Sequence, residues 1–430
     1  MDGGRYGPVA VAVPEGDVRG YVVLFSDPAG LRPTPDVAAL TRAGAVVVRV
    51  DTARYFATIR QDAKPCDQLV GDAESLSRQL QRRYPALQYA FPILAGAGEA
   101  GTLAYAVLAQ APNNTLAGAV SLDPAPALAG IPALCPGAPA TAQPGGAVAY
   151  GARPDLQGFW TVLLDDAAPA GARAAIEALK AAGTPVTITP AAGGDGAAAL
   201  AAAVAPHLSQ ATSGGAAALP LVVLPAAAPG GAMALVMSGD GGWRDIDKVI
   251  AERLQQHGVS VVGWDSLRYF WRRKTPEQTA DDLAGVLRTY VAEWKPDKIA
   301  LIGYSFGADV MPFLYDRLPP ALRDRVAMVS LLGLESGADW EITVRGWLGE
   351  PPSDAALPVA PALARMPGGL IQCFYGEQET ESACPALKGR DVELIETPGG
   401  HHFGHDYAAV VDRILSGLAR RSPPSAGGHG

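Results

Sequence analysis

Short runs of apolar residues alternate along the chain with longer stretches in which apolar residues recur at helical spacing. The apolar runs at residues 21–25, 45–50, 259–264 and 299–302 have the length of strands and carry few polar positions. Strands that are apolar on both sides are typical of parallel sheets buried between two layers of helices. The sequence therefore predicts an α/β protein whose parallel sheets are covered by helices on both faces.

The pattern of the first half returns in the second half. Residues 51–56 (DTARYF), which follow a predicted strand, correspond to residues 265–270 (DSLRYF), a period of about 214 residues. Between the copies, residues 209–220 are small, polar and turn-rich, which is typical of a linker. We therefore predict two tandem domains and a disordered tail, at residues 1–212, 213–421 and 422–430.

The most specific motif is GYSFG at residues 303–307. It joins a predicted strand to a predicted helix that runs to Leu318, and two prolines follow that helix. In a nucleophile elbow, small residues flank a serine on the strand-to-helix turn because the backbone passes close to itself there. With 50 glycines in the chain the bare pattern is weak, but the strand and helix around it strengthen it. We predict Ser305 to be the nucleophile of an α/β-hydrolase fold.

A serine nucleophile needs a general base and an acid that orients the base. After the predicted strand at residues 369–375, we assign Glu379 as the acid, with Glu377 as the alternative. The next predicted strand leads into a glycine-rich loop, where we assign His402 as the base, with His401 as the alternative or as a residue that orients the loop. The chain order serine, acid, histidine is that of the α/β-hydrolases.

The first copy of the repeat lacks these groups. Its register places Gly98 opposite Ser305, and residues 193–194, both glycines, opposite the two histidines. We therefore predict that residues 1–212 form a degenerate, non-catalytic domain that resembles an α/β-hydrolase.

Hydrolysis through a serine also requires two N–H donors for the oxyanion. One is expected from Phe306, which follows the nucleophile. The other is expected from Gly239 or Asp240, in the glycine-rich segment SGDGGW at residues 238–243. The same glycines are also compatible with a plain tight turn.

Polar and aromatic side chains near these motifs are candidates for substrate contacts. Asp240 and Asp309 are expected to face a cationic group, or alternatively to cap helices. Residues 268–274 (RYFWRRK) interleave basic and aromatic residues, which suits a phospholipid headgroup or, alternatively, a contact between domains. The substrate-binding candidates are Asp240, Trp243, Arg268, Asp309 and His401.

Composition excludes several classes of partner. A net charge of −9 without a basic patch disfavours nucleic acid. No apolar stretch is long enough to span a membrane. The first residues lack the shape of a signal peptide, which leaves a cytoplasmic protein or the mature form of an exported one. No H-E-x-x-H or Cys/His spacing points to a metal, and we expect neither a metal nor a cofactor.

The four cysteines lie two in each half, as Cys66 and Cys135, and Cys373 and Cys384. This distribution suits one disulfide per domain in an oxidising compartment, or four free thiols in a cytosolic enzyme.

Several of these segments together resemble the AcvB/VirJ family of bacterial virulence proteins across residues 220–420. The segments are SGDGGW (238–243), RYFW (268–271), GYSFGA (303–308), C-x-Y-G (373–376) and GGHHF (399–403). The first domain resembles the extra N-terminal domain of the longer, AcvB-type members. The resemblance implies a periplasmic α/β-hydrolase that removes the amino acid from aminoacyl-phosphatidylglycerols, with its cysteines in disulfides. Glu379 departs from many relatives of the wider fold, which have Asp there.

The leading hypothesis is a periplasmic serine esterase that acts on lysyl- or alanyl-phosphatidylglycerol at the membrane surface. One alternative is a non-catalytic envelope protein that contacts a secretion system and uses the fold as a scaffold. Another is a serine hydrolase of soluble esters or peptides. The joint presence of Ser305, Glu379 and His402 favours an enzyme.

Overall fold

The chain folds into two compact units, Met1–Gly215 and Ala216–Gly430, in the computed structural model. The predicted boundary at residue 212 and the predicted tail at residues 422–430 lie outside the described residues. The structure describes residues 1–26, 35–61, 66–86, 88–131, 134–135, 137–165, 168, 171–191, 195–208, 219–228, 231–343 and 353–421.

The first unit contains one large sheet. Its strands are β1 (Ala10–Ala12), β2 (Gly20–Ser26), β3 (Ala45–Asp51), β4 (Ile93–Ala97), β5 (Gly118–Leu122), β6 (Ala140–Ala142), β7 (Val148–Tyr150), β8 (Phe159–Leu164) and β9 (Thr187–Pro190). Its helices are α1 (Pro35–Arg42), α2 (Thr52–Gln61), α3 (Val70–Arg83), α4 (Glu99–Gln110), α5 (Ala172–Ala181) and α6 (Gly196–Val204). Seven strands follow the order β1-β3-β2-β4-β5-β8-β9, and β6 pairs with β7 separately.

The second unit repeats this plan. Its strands are β10 (Leu221–Leu224), β11 (Ala232–Met237), β12 (Val259–Trp264), β13 (Lys298–Tyr304), β14 (Val326–Leu332), β15 (Gly337–Ala338), β16 (Leu357–Pro358), β17 (Ile371–Gly376) and β18 (Glu393–Thr397). Its helices are α7 (Asp245–Gln256), α8 (Ser266–Tyr269), α9 (Pro276–Trp294), α10 (Phe306–Arg317), α11 (Pro320–Arg323), α12 (Ala360–Ala364) and α13 (Tyr407–Arg420). The large sheet has the order β10-β12-β11-β13-β14-β17-β18.

The inner strands explain why the apolar runs predict the fold. Every residue of β11, β12 and β14 is buried, because helices pack on both faces of the sheet. Parallel pairing joins the neighbouring strands from β12 through to β18. The predicted tandem arrangement of mostly parallel sheets covered by helices is confirmed.

One edge of each sheet departs from that prediction. β1 pairs with β3, and β10 with β12, in the antiparallel sense. Both edge strands are short and stand before the first parallel strand of their unit, and an antiparallel neighbour needs no helical crossover. Their partly exposed residues carry too little alternation for the pattern to show their direction.

The order of the second sheet determines where a site can form. β12 and β13 flank β11 on opposite sides, so the chain winds outward in both directions from this point. In such sheets, ligands bind in the crevice outside the carboxyl ends of the strands at the switch point. The segments that follow β11, β13, β14, β17 and β18 all leave from this edge.

Among the described residues, no helix is both long and apolar enough to cross a membrane.

Candidate active site

Ser305 stands on a sharp turn between the end of β13 and the start of α10. Its backbone angles are φ 51° and ψ −121°, a conformation that residues other than glycine rarely adopt. The turn is tight because a Cβ on Gly303 would collide with the carbonyl oxygen of Gly307, and one on Gly307 would collide with that of Met237. The predicted nucleophile elbow therefore has the backbone geometry that holds a serine hydroxyl above the sheet edge.

Glu379 and His401 form a close pair at the same sheet edge. The Glu379 Oε1 atom lies 2.5 Å from Nδ1 of His401, and Oε2 accepts a hydrogen bond of 3.0 Å from the Gly376 N–H. The imidazole of His401 lies over Gly333, just after β14, where a Cβ would be 2.7 Å from its Cε1 atom. The structure thus brings the predicted acid to His401, the alternative base, rather than to His402, the preferred one.

Charge and burial act in opposite directions on this pair. Burial opposes the protonated form of His401, but the hydrogen bond and charge of Glu379 outweigh it and raise the pKa of the imidazole above its ordinary value. Burial would likewise raise the pKa of Glu379, but the hydrogen bonds from His401 and from the Gly376 N–H lower it below its ordinary value. Glu379 is therefore an anion that orients His401 through Nδ1.

His402 occupies different surroundings. Its Nδ1 atom lies 3.1 Å from the hydroxyl of Tyr304, and its ring stacks on His405 at 5.7 Å between centroids. Partial burial and the neighbouring His401 and His405 lower the pKa of His402. Sequence reasoning could not separate the two histidines, because the choice depends on the path of the loop at residues 398–405.

Glu377, the alternative acid, has a supporting role. Its exposed carboxylate accepts a hydrogen bond of 3.3 Å from the Gly399 N–H, at the start of the histidine-bearing loop. It therefore links the loop after β17 to the loop after β18, and Glu379 takes the position beside the imidazole.

The segment at residues 238–243, which we call the oxyanion loop, packs against the elbow. A Cβ on Gly239 would lie 3.4 Å from Cβ of Ser305. The Gly239 amide donates to the buried carboxyl of Asp247, which engages one of the three predicted donors. Within the described residues, the N–H groups of Asp240 and Phe306 have no acceptor in the protein. These two remain available to an oxyanion.

Buried acids support the oxyanion loop from beneath. Burial and the nearby Asp265 raise the pKa of Asp247 well above its ordinary value, while the Gly239 amide opposes the shift. Asp265 accepts hydrogen bonds from the backbone of Trp243 and of Arg268, so it joins the loop to α8. Sequence analysis assigned no function to either acid. The spacing of Asp265 at the end of β12 was the available signal.

The structure buries one of the predicted substrate contacts, Trp243, and also the aromatic residues that follow Arg268. Trp243 is buried in the core with its ring over Gly263, which removes it from the substrate side. The aromatic residues 269–271 are also buried, so they do not form an exposed aromatic surface. Arg268 is exposed on α8, as are Arg272 and Arg273 after the buried rings. The mixture of basic and aromatic residues therefore reflects a boundary between surface and core.

Two further acidic residues, Asp309 and Glu335, are hydrogen-bonded to each other at the loop after β14. Asp309 is only 8% exposed, and its Oδ1 atom accepts a hydrogen bond of 2.8 Å from the Glu335 N–H. Burial raises the pKa of both carboxyls, and Glu335 also faces the charges of His401, Glu379 and Asp240. Asp309 therefore braces the loop after β14. Sequence analysis missed Glu335, which lies three residues past the end of the buried strand β14 and therefore at this edge of the sheet.

A disulfide closes the segment that carries the acid. Cys373 in β17 is bonded to Cys384, and Cys66 is bonded to Cys135 in the first unit. The expectation of one disulfide per domain is confirmed. Among the described residues, no cluster of three or more His, Cys, Asp or Glu side chains is arranged to hold a metal ion.

The first unit preserves the elbow without a nucleophile. Gly98 has φ 58° and ψ −128°, nearly the angles of Ser305, and stands between β4 and α4. The Gly98 N–H donates to Leu122 O at 2.9 Å, as the Ser305 N–H donates to Leu332 O at 2.8 Å. The glycines expected opposite the histidines, at residues 193–194, lie outside the described residues.

Solved structures of low identity resemble part of the chain. Est1E from Butyrivibrio proteoclasticus is 16% identical, with 46% of this chain and 93% of that chain covered and a TM-score of 0.32. The esterase domain of a Rhodothermus marinus protein is 15% identical, with 47% and 91% covered and a TM-score of 0.33. A putative dienelactone hydrolase from Klebsiella pneumoniae is 11% identical, with 45% and 89% covered and a TM-score of 0.32. No curated protein sequence matches the chain.

A family model matches the part of the sequence that contains the candidate site. Residues 231–422 match the family described as bacterial virulence protein (VirJ). The match covers the elbow, the oxyanion loop and the loop with both histidines. The second unit is therefore similar in sequence to the bacterial virulence protein (VirJ) family over residues 231–422, and its fold is that of an α/β-hydrolase.

Proposed function

We propose that the protein is a serine esterase in which Ser305 is the nucleophile, His401 the general base and Glu379 the acid. The observation that carries this proposal is the pairing of Glu379 with Nδ1 of His401 at 2.5 Å, on the sheet edge where the elbow presents Ser305. The family match over residues 231–422 supports it.

The reaction follows from these positions. With its Nδ1–H donated to Glu379, His401 keeps Nε2 as the basic nitrogen that removes the proton of the Ser305 hydroxyl. The serine oxygen attacks the ester carbonyl, and the N–H groups of Asp240 and Phe306 stabilise the oxyanion. The protonated imidazole then gives its proton to the leaving alcohol, and water releases the acyl group by the same steps.

We further propose that the substrate is an aminoacyl-phosphatidylglycerol, from which the enzyme removes a lysyl or alanyl group. The carboxylates of Asp240 and Glu335 beside His401 suit the ammonium group of an esterified amino acid. The exposed side chains of Arg268, Arg272 and Arg273 suit the lipid phosphate. Their segment lies next to the elbow, because the ring of Phe270 is 4.8 Å from that of Phe306.

The two disulfides indicate the cellular compartment in which the protein works. Both persist only in an oxidising compartment, and a bacterial protein meets such a compartment outside the cytoplasm. We therefore propose that the enzyme works in the periplasm, at the membrane surface where its lipid substrate is exposed.

The decisive experiment measures which bond is cleaved. We expect the purified protein to release free lysine or alanine from the aminoacylated lipid in mixed micelles, and to leave phosphatidylglycerol intact. Ser305→Ala is expected to lower this rate at least about a thousandfold and to abolish labelling by a fluorophosphonate. Release of fatty acid from unmodified phosphatidylglycerol would identify a phospholipase instead. Full labelling of the Ser305→Ala protein would refute the nucleophile.

A further inference from the structure

Tyr304, the residue before the nucleophile, contacts both histidines of the adjacent loop. Its hydroxyl lies 3.1 Å from Nδ1 of His402 and 3.4 Å from the carbonyl oxygen of His401. Its ring packs against His401 and Phe403, at 5.4 Å and 6.2 Å between centroids. The elbow and the loop at residues 398–405, here called the histidine loop, are therefore joined by one side chain.

The Tyr304 hydroxyl restricts the tautomer of His402. Burial and the surrounding carboxylates raise the pKa of Tyr304, so the phenol keeps its single proton and donates it. It can donate to the His401 carbonyl oxygen and accept from the Nδ1–H of His402, or donate to Nδ1 of a neutral His402 whose own proton is on Nε2. In either arrangement the hydroxyl engages Nδ1 of His402 and so favours a single tautomer.

The first unit provides an internal comparison. It keeps the elbow conformation at Gly98, but Ala97 stands where the second unit has Tyr304. The sequence register also places glycines opposite both histidines in that unit. The tyrosine and the histidines are thus absent together from the copy that lacks a nucleophile.

We propose that Tyr304 is a positioning residue that anchors the histidine loop to the elbow and so holds His401 between Glu379 and Ser305. The proposal rests on the proposed roles of these residues in ester hydrolysis. It does not depend on the identity of the substrate. Without the hydroxyl, the loop keeps its links from Glu377 and Glu379 and its packing on the tyrosine ring, but loses its hydrogen bonds to the residue before the nucleophile.

The test compares the removal of two hydroxyls that each contact the histidine loop from outside it. Tyr304→Phe keeps the ring and deletes only the oxygen that faces His402. Tyr407→Phe is the matched control, because the Tyr407 hydroxyl lies 3.2 Å from Nδ1 of His405, three residues beyond His402 in the loop. Both proteins are compared with wild type for fluorophosphonate labelling rate and for kcat and KM on a short-chain ester, with thermal melting as the check of folding.

We expect Tyr304→Phe to lower kcat and the labelling rate constant roughly 10- to 100-fold with KM little changed, since a small misplacement of the base has effects of this size. Tyr407→Phe is expected to remain within about twofold of wild type, since no reacting group depends on it. Long-range 15N–1H spectra supply a readout that a packing role would not alter. The His402 signal, assigned by its loss in His402→Asn, should change from a single tautomer in wild type to a mixture in Tyr304→Phe.

Two results would overturn the proposal. One is a Tyr304→Phe protein that labels at the wild-type rate. The other is a His402 tautomer that does not change in that variant. A wild-type protein that labels at Ser305 but releases no amino acid from the lipid would refute only the proposed substrate. A wild-type protein that does not label at all would refute the esterase, and this proposal with it.

Discussion

At the scale of single residues, two adjacent imidazoles have opposite electrostatic surroundings. His401 faces Glu379, Glu335 and Asp240, and these carboxylates favour its protonated form. His402 instead faces His401 and His405, and its pKa is lowered. A general base must accept a proton in the transition state, so the imidazole with an anion behind it is the better base.

Exchange of each histidine in turn should separate their roles. We expect His401→Asn to reduce kcat at least about a thousandfold, because no other base is paired with the acid. His402→Asn keeps an acceptor near the Tyr304 hydroxyl and should reduce kcat much less, by roughly tenfold or below. The measurement is steady-state hydrolysis of the same ester by both proteins. The reverse ranking of the two variants would return the base to His402.

The raised pKa of His401 also predicts a pH profile. Because the base must be neutral, kcat/KM should rise with pH through a midpoint above the ordinary histidine value. Glu379→Gln removes the anion that stabilises the imidazolium, so the midpoint should move to lower pH while the plateau rate falls roughly a hundredfold or more. A midpoint that stays in place, or moves upward, would show that Glu379 is not the charge behind the base.

At the scale of secondary-structure elements, the loop after β17 has to carry the acid across to the histidine loop. The Cys373–Cys384 disulfide joins residues separated by 11 positions around this loop, while Cys66–Cys135 joins residues separated by 69. On the chain-entropy description, the longer loop gives the larger stabilisation. The shorter loop, closed by Cys373 and Cys384, contains Glu379.

The two disulfides should therefore have separable effects. Replacement of Cys373 and Cys384 by Ser is expected to cost about 3 kcal/mol and to slow labelling, because Glu379 loses the restraint on its loop. Replacement of Cys66 and Cys135 is expected to cost about 4 kcal/mol in the first unit, with labelling unchanged. Denaturant unfolding and labelling rates test both, and slower labelling after only the second replacement would contradict this division.

The strands, helices and loops show which features of the structure a sequence pattern can predict. The elbow turn and the alternation of strands and helices follow from periodicity and small residues, and the structure has them where they were predicted. Glu379 stays a predicted acid, and it lies beside His401. The choice between the histidines does not follow, because it depends on the backbone path of residues 398–405, where Phe403, Gly404 and His405 all have positive φ. The headgroup site suggested for residues 268–274 is a second example. Aromatic residues next to arginines suggested an exposed surface, but the rings of residues 269–271 are buried by tertiary packing.

At the scale of the whole molecule, two copies of one fold have kept different parts of it. Both retain a tyrosine after the third strand of the large sheet that donates to an aspartate on the next helix, as Tyr55 to Asp72 at 2.6 Å and Tyr269 to Asp282 at 2.5 Å. Both also retain the elbow turn, at Gly98 and at Ser305. Contacts that hold the sheet and helices together are thus duplicated, and the proposed catalytic groups are found in the second copy.

The last prediction concerns the first unit by itself. It has its own buried core, its own sheet and its own disulfide, so residues 1–212 expressed alone in an oxidising compartment should fold and unfold cooperatively. The fragment should not react with a fluorophosphonate, because its elbow carries Gly98 and no hydroxyl stands at that position. In the full chain, mass mapping should find the label only at Ser305. Stoichiometric labelling of the fragment would mean that a second nucleophile exists and that the two halves are aligned incorrectly.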